Sequence, residues 1–376
     1  MLGHTSVTVP GTGRGSDGHV RWLASLSPWP EEFGLGRIRA LLAELGDPQQ
    51  RFPAIHAVGT NGKTSTTLLC AALLHAEGLR VGATISPHVC GWEERIQVDG
   101  EYADLEQALA RVRPHAAGAT QFEVLTAAAL AEFAAQAVDV AVVEAGLGGR
   151  HAATNVLDAR VVVLTNVSLE HTEVLGETRR EIAVEKLAVV SPGAVVVIGE
   201  PEWEHAARAN GAARVEIVSG SNLALATVAA EAFLGRPVDP HQAEYVHVPG
   251  RLERRSETPL EIWDGAHNLA GVGYLLPRLP TRRFTIVASI LADKDVEAML
   301  AALSVIGDTL VATSSSNARA VPAAELAELA RRHFATVEVA ADPAAAVRRA
   351  HSLAGSDGAV LVTGSLYLLA DLHAGA

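Results

Sequence analysis

Short apolar runs recur along the chain, and polar residues gather just after each one. Ile55 to Val58, Arg80 to Ile85, Val138 to Val143, Arg160 to Thr165 and Ala194 to Ile198 are nearly continuous runs of β-branched and small apolar residues. That is the pattern of strands covered on both faces in a parallel sheet. Between them lie stretches of helix-forming composition: Ser65 to Leu74, Leu105 to Arg113, Val124 to Ala137, a segment opened by Thr178, and Leu223 to Leu234. Two helical pieces within Trp22 to Leu45, split by SPWPEEFGLG, precede the first strand. Strand and helix alternation predicts an α/β domain. Gly235 to Gly250, with Pro237, Pro240 and Pro249, reads as a linker. A second alternation then begins, with strands at Leu260 to Trp263, Phe284 to Ser289, Thr309 to Thr313, Val337 to Val339 and Ala359 to Val362. The expected organisation is a tail over residues 1–20, one domain over 21–249, and a smaller doubly wound domain over 250–376.

The polar clusters fall at the carboxyl ends of the strands, where open α/β sheets bind ligands. After the first run comes Gly59-Thr60-Asn61-Gly62-Lys63-Thr64-Ser65. Strand, glycine-punctuated turn, lysine, hydroxyl and helix make a phosphate cradle. Glycine lets backbone N–H groups converge on an anion, and the helix N-terminus adds partial positive charge. Lys63 supplies a full charge, and Thr64 or Ser65 a hydroxyl for Mg²⁺. Ala57 stands where the longer form of this pattern has its first glycine, so this is the short form.

Ser86-Pro87-His88 follows the second strand. Glu144 ends the third, as a Mg²⁺ ligand at a strand tip would, and Ala145 to Arg150 (AGLGGR) makes a tight loop after it. Asn166 and Ser168-Leu169-Glu170-His171 follow the next strand. His171 reads equally as a loop histidine and as a metal ligand. Thr120 and Glu123 stand at capping-box spacing, a structural reading that competes with a binding one. Taken alone, Lys186 reads as an exposed helix lysine beside Glu185. In the second half the strand ends carry Asp264-Gly265-Ala266-His267-Asn268, Asp293-Lys294-Asp295, Ser314 to Asn317, and Gly364 to Tyr367.

The net charge of −13 removes the electrostatic basis for non-specific nucleic-acid binding. It leaves phosphate ligands open, since local geometry holds them. No segment reaches the about 18 consecutive apolar residues of a membrane span, and residues 1–19 lack a signal peptide's apolar core. Cys70 and Cys90 make no disulfide framework. The expectation is a cytoplasmic, monomeric enzyme with no nucleic-acid or membrane partner.

Read together, GTNGKTS, ISPHV with ERI, TQFEVLTA, EAGLGGR with AATN, EHTEVLG, IAVEK, PGRLE, DGAHN, DKD and GSLYLLAD form an ordered set from about Trp22 to Leu372. The set resembles the folylpolyglutamate synthase/dihydrofolate synthase branch of the Mur ligase family. The resemblance implies an N-terminal ATP-binding Mur ligase domain with a mostly parallel sheet, and a Rossmann-like C-terminal domain. It implies an ATP-dependent amide ligase. The acceptor's carboxylate attacks the γ-phosphate, and the amino group of L-glutamate displaces phosphate from the acyl phosphate. The implied acceptors are dihydropteroate, tetrahydrofolate polyglutamate, or both.

The resemblance also implies site residues. Gly59, Thr60, Asn61, Gly62, Lys63, Thr64 and Ser65 would hold the ATP phosphates, with Asn222, Arg251 and Asp264 completing the nucleotide site. Of two Mg²⁺ ions, one would sit near Ser86 and Glu144 and the second near His171. Lys186 falls where family members carry a carbamylated lysine, and with Lys63 and His267 it is the implied catalytic set. Thr120, Gln121, Phe122, Glu123, Ala152 and Ala153 would border the pterin or folate, Phe122 offering a ring face. The sequence departs from the family in places. The usual Leu-Asp-Ala-Thr is His151-Ala152-Ala153-Thr154, Glu170 replaces an Asp, and Thr64 replaces a Gly. These changes bear on the acceptor more than on the reaction. They keep open a related ligase acting on a non-folate carboxylic acid.

Overall fold

The structure is a computed structural model that describes residues 18–30 and 32–375. The expected tail lies outside the described residues up to position 17. Residues 18–20 open the helix Gly18–Ser25 and belong to the folded chain.

The first sheet has eight strands: β1 (Ala54–Val58), β2 (Val81–Thr84), β3 (Ile96–Val98), β4 (Glu101–Tyr102), β5 (Val140–Glu144), β6 (Ala159–Leu164), β7 (Val195–Ile198) and β8 (Arg214–Ile217). Their order is β4-β3-β2-β5-β1-β6-β7-β8. All pairings are parallel except β2–β3 and β3–β4. Every residue of β1 and β5 is buried, as central strands of a covered sheet require. Alternate side chains serve opposite faces. Ile55, Val142 and Val163 meet the helices Lys63–Ala76 and Asn222–Leu234. Ala54, Ala141 and Val143 meet the helix Gln121–Ala135, whose Phe133 is fully buried. Three strands escape the apolar-run pattern: β3 and β4, which form a short hairpin at one edge, and β8, which is only half-buried at the other.

The second sheet contains β9 (Glu253–Glu257), β10 (Leu260–Trp263), β11 (Phe284–Ala288), β12 (Thr309–Ala312), β13 (Thr336–Val339) and β14 (Ala359–Thr363). Its order is β13-β12-β11-β14-β10-β9, with β9 alone antiparallel. Helices cover both faces.

The two sheets meet through the loops at their strand ends. Asn61 and Asn268 exchange side-chain amide hydrogen bonds at 3.2 and 3.1 Å. Glu170 meets Lys294 at 3.4 Å. The hinge turns at Gly250, whose φ of 64° and contacts with Leu369 and Val89 leave little room for a side chain.

Phe133 tests the larger core. Its ring lies on Gly82 of β2 and meets Phe52 edge-on at 6.1 Å. Phe133→Ala is expected to lower unfolding free energy by about 3–5 kcal/mol, read by denaturant titration. A near-zero change would remove this residue from the core.

Candidate active site

A cleft of about 610 Å³ opens where the carboxyl ends of the two sheets face one another. Its floor is the loop after β1. Gly59 (φ 146°) and Gly62 (φ 84°) take backbone angles that L side chains rarely adopt. A side chain at Gly59 would strike the Thr165 hydroxyl, and one at Gly62 would come within 2.5 Å of Asn222 Oδ1. The end of β6 fastens the loop. Thr165 Oγ1 donates to Asn61 O (2.7 Å), Asn61 N donates to Asn166 Oδ1 (3.0 Å), and Thr60 N donates to Asn166 O (2.9 Å). Lys63 Nζ curls back to Gly59 O and Thr60 O, both at 3.1 Å. Its charge therefore sits over the loop at the helix N-terminus, the arrangement that binds anions.

Glu144 stands one strand away, at the tip of β5, where its Cα pairs with that of Ala57. Ser86 N donates to its Oε2 at 2.9 Å, and the Thr64 hydroxyl donates at 2.9 and 3.1 Å. Burial pushes its carboxyl up, opposed by the Lys63 charge, by those two donors and by Arg251. Among the described residues Glu144 makes no ion pair. A buried carboxylate beside a hydroxyl, without a cation of its own, suits a hard divalent ion. Among the described residues no three or more His, Cys, Asp or Glu side chains form a metal cage. An ion here would take its other ligands from hydroxyls, phosphates and water. Ser86 engages Glu144 through its backbone N–H.

Lys186 is buried at 3 % exposure, so the reading of an exposed lysine beside Glu185 is corrected. Glu185 instead accepts from Arg150 N and Nε. Lys186 Nζ donates to Gly59 O at 2.8 Å, under the phosphate loop. Burial, with repulsion from Lys63, pushes its amine down to about 7. His171 has a left-handed backbone (φ 50°) and lies 3.8 Å from Glu170. Burial pushes its ring down, against the pull of Glu170. Burial alone would raise Glu170. The His267 ring 3.6 Å away, with Lys63 and Lys294, holds it well below the usual carboxylate range. His267 Nδ1 donates to Gly265 O at 2.8 Å, which fixes the ring in the loop after β10.

Asp264 accepts from Leu252 N and Ala266 N, each at 2.9 Å, and so organises the hinge around Arg251. Thr120 and Glu123 form the capping box of the helix Gln121–Ala135, and Glu123 also takes Arg37 Nε at 3.2 Å. Their polar atoms are committed to structure while they line the cleft. Gln121 Nε2 donates to Leu23 O. The Phe122 ring lies over Gly146, where a Cβ would come within 2.7 Å, and Ala152 and Ala153, both buried, line the same cleft. The cleft also gathers residues to which sequence reasoning gave no role: Trp29, Phe33, Arg37, Arg95, Tyr274, Lys294 and Arg319. For Trp29 and Phe33 the signal was present, as aromatics set among prolines and glycines in SPWPEEFGLG.

Residues 58–233 match the Mur ligase middle domain, and residues 250–366 match the Mur ligase glutamate ligase domain. A dihydrofolate synthase/folylpolyglutamate synthase of Mycobacterium tuberculosis is 35% identical, over 81% of this chain and 80% of its own. The chain belongs to the folylpolyglutamate synthase/dihydrofolate synthase family of Mur ligases. Two solved structures are similar over nearly the whole chain. Escherichia coli FolC in complex with DHPP and ADP is 28% identical with a TM-score of 0.86, covering 95% of this chain and 97% of that one. A bifunctional Yersinia pestis folylpolyglutamate synthase/dihydrofolate synthase complexed with AMPPNP and Mn ion is 29% identical with a TM-score of 0.85, covering 95% and 96%.

Lys186 makes a pH-dependent prediction for this Mur ligase. Its folded value of about 7 lies below the ordinary 10.5. Between the two, the unfolded chain keeps a proton that the folded chain has released, so stability rises with pH through that window. Below it, the fold carries the full penalty of a buried ammonium. Lys186→Met should raise Tm in CO₂-free buffer, most below about pH 7, with the gain shrinking towards about pH 10. A gain that ignores pH would place the amine outside the buried site.

Proposed function

We propose that this chain is an ATP-dependent ligase that joins L-glutamate to the carboxylate of a folate-type acceptor through an acyl phosphate. One observation carries the reading. The phosphate loop, Glu144, which has no ion-pair partner among the described residues, and the aromatic wall of Phe122 open into the same cleft, with His267 and Lys294 facing them from the other domain. Phosphate chemistry and a flat acid therefore meet at one place.

Each residue has a part in this mechanism. Gly59 to Ser65 wrap the ATP phosphates, and Lys63 lies across the γ-phosphate. Asn222 backs the loop, while Arg251 and Asp264 set the hinge that lets both domains hold one nucleotide. Glu144, with Thr64 and Ser86, would hold one Mg²⁺, and His171 would serve a second. Bound Mg²⁺ supplies positive charge to the transferring phosphoryl group. An acceptor carboxylate oxygen bonds to the γ-phosphorus as its bond to ADP breaks. The glutamate amine then bonds to the acyl carbon, and phosphate leaves. His267, held beside Glu170, presents its ring where that phosphate departs. Lys186, an amine with an ordinary value lowered by burial, is suited to react with CO₂. The resulting carbamate would be an anionic ligand beneath the loop. The pterin wall is Thr120 to Glu123 with Ala152 and Ala153.

Phosphate release from ATP and glutamate tests this reading. It is expected to require dihydropteroate or tetrahydrofolate. Turnover with both acceptors makes a bifunctional enzyme, and turnover with tetrahydrofolate alone makes a chain extender. Turnover with neither, in folded protein that binds ATP, would favour the non-folate acid that Ala152 keeps open. Lys63→Ala should lower turnover by about a hundredfold or more without unfolding the protein. Near-full activity in that variant would contradict the phosphate-loop assignment. Lys186→Ala should also lose activity, with partial recovery in acetate. An unaffected variant would remove the carbamate.

A further inference from the structure

The mechanism above leaves Arg37, Arg95 and Arg319 of the cleft without a part; Arg37 pairs with Glu123 and Arg319 with Asp293, and Arg95 makes no ion pair with a described residue. It ends the turn Trp92–Arg95, which follows Ser86-Pro87-His88 and runs into β3. The antiparallel register Thr84↔Ile96 folds this segment back along β2, and Ile85 N donates to Arg95 O at 3.4 Å. The side chain thereby returns to the carboxyl edge of the sheet and lines the cleft.

The head group is held in place. Arg95 Nε donates to His88 Nδ1 at 3.1 Å. Guanidinium nitrogens only donate, so this ring nitrogen is the acceptor. The His88 ring packs on Trp92 with centroids 4.4 Å apart, and the guanidinium carbon lies 5.6 Å from the Trp92 ring centre. The two Nη atoms make no hydrogen bond and no ion pair with any described residue. Glu144 and Glu94 act on this guanidinium through space, but no carboxylate of the described residues touches the fork of a half-buried cation that is fixed through Nε and lines the cleft. The fork matches a planar, two-oxygen anion best.

Sheet order indicates which anion. In β2-β5-β1, Glu144 at the tip of β5 separates the loop after β2 from the phosphate loop after β1. Lys63 covers the phosphates on the β1 side. Arg95 comes from the β2 side, across Glu144. We infer that Arg95 receives the reacting carboxylate of the acceptor, and that His88 is the positioning residue that aims it. The inference rests on the ligase reading above. It answers a physical need of that reaction, since a carboxylate approaching a polyanionic triphosphate must be held against repulsion.

Steady-state kinetics with the full chain tests it, varying the acceptor and ATP separately. Arg95→Gln and Arg95→Lys should raise the acceptor KM about tenfold or more, since a charge-assisted pair is lost or loses its fork. The ATP KM should change less than about twofold. His88→Ala should give the same split with a smaller acceptor effect, and ADP titration should show each variant folded. A raised ATP KM with an unchanged acceptor KM would reassign Arg95 to the γ-phosphate and overturn the inference. Unchanged values for both substrates would also overturn it. Absence of acceptor-dependent turnover in the unsubstituted enzyme would instead overturn the ligase reading, and this inference with it.

Discussion

A carboxylate buried at the end of a strand constrains this whole site. Glu144 is only 3 % exposed and has no ion-pair partner among the described residues. Burying such a charge is unfavourable unless donors and cations surround it. The fold brings two kinds. Ser86 N–H and the Thr64 hydroxyl touch it, and Lys63 and Arg251 act through space. β5 must lie between β2 and β1 for those loops to converge, and it does. The order of the sheet and the chemistry at its edge are therefore one requirement. A divalent ion beside Glu144 would complete the same balance.

The second constraint is that the site is divided between two domains. Glu170 on the first meets His267 and Lys294 on the second. The Asn61–Asn268 exchange ties the phosphate loop to the start of the helix Leu269–Leu275. These are polar contacts at a cleft, which can break and re-form more readily than a packed core. On the proposed mechanism, Lys186 is a site where function costs stability. A long apolar side chain would fill its place without a charge to desolvate, yet an amine sits there, bonded to the phosphate loop's own carbonyl.

Much of this was legible because parallel α/β proteins put apolar runs in strands and ligand chemistry at their carboxyl ends. The phosphate loop, Glu144, His171 and Asp264 each follow such a run. The capping box at Thr120 was legible for the same local reason, being fixed by spacing alone, and the structure adds a second at Thr178. The missed elements lack that signal. Glu101-Tyr102 is an exposed two-residue edge strand, and β8 carries charge on a half-buried edge. The burial of Lys186 depends on Gly149 lying against its backbone and on the loop after β1, neither of which helix periodicity reports. Family resemblance, and not spacing, pointed to that lysine. Arg37 and Arg95 lie close in sequence to other cleft residues, but no periodicity or strand-end position marks them, and the side chain of Arg95 returns to the sheet edge only through the β2–β3 turn.

On the proposed mechanism, the cleft makes an acyl phosphate before it makes an amide. The direct measurement uses an acceptor whose carboxylate carries heavy oxygen, followed through turnover with ATP and glutamate by mass spectrometry of the released phosphate. If the carboxylate attacks the γ-phosphorus, one labelled oxygen must leave with phosphate in each turnover. Unlabelled phosphate, with the amide still formed, would mean that ATP is spent without activating the acid and would contradict the account.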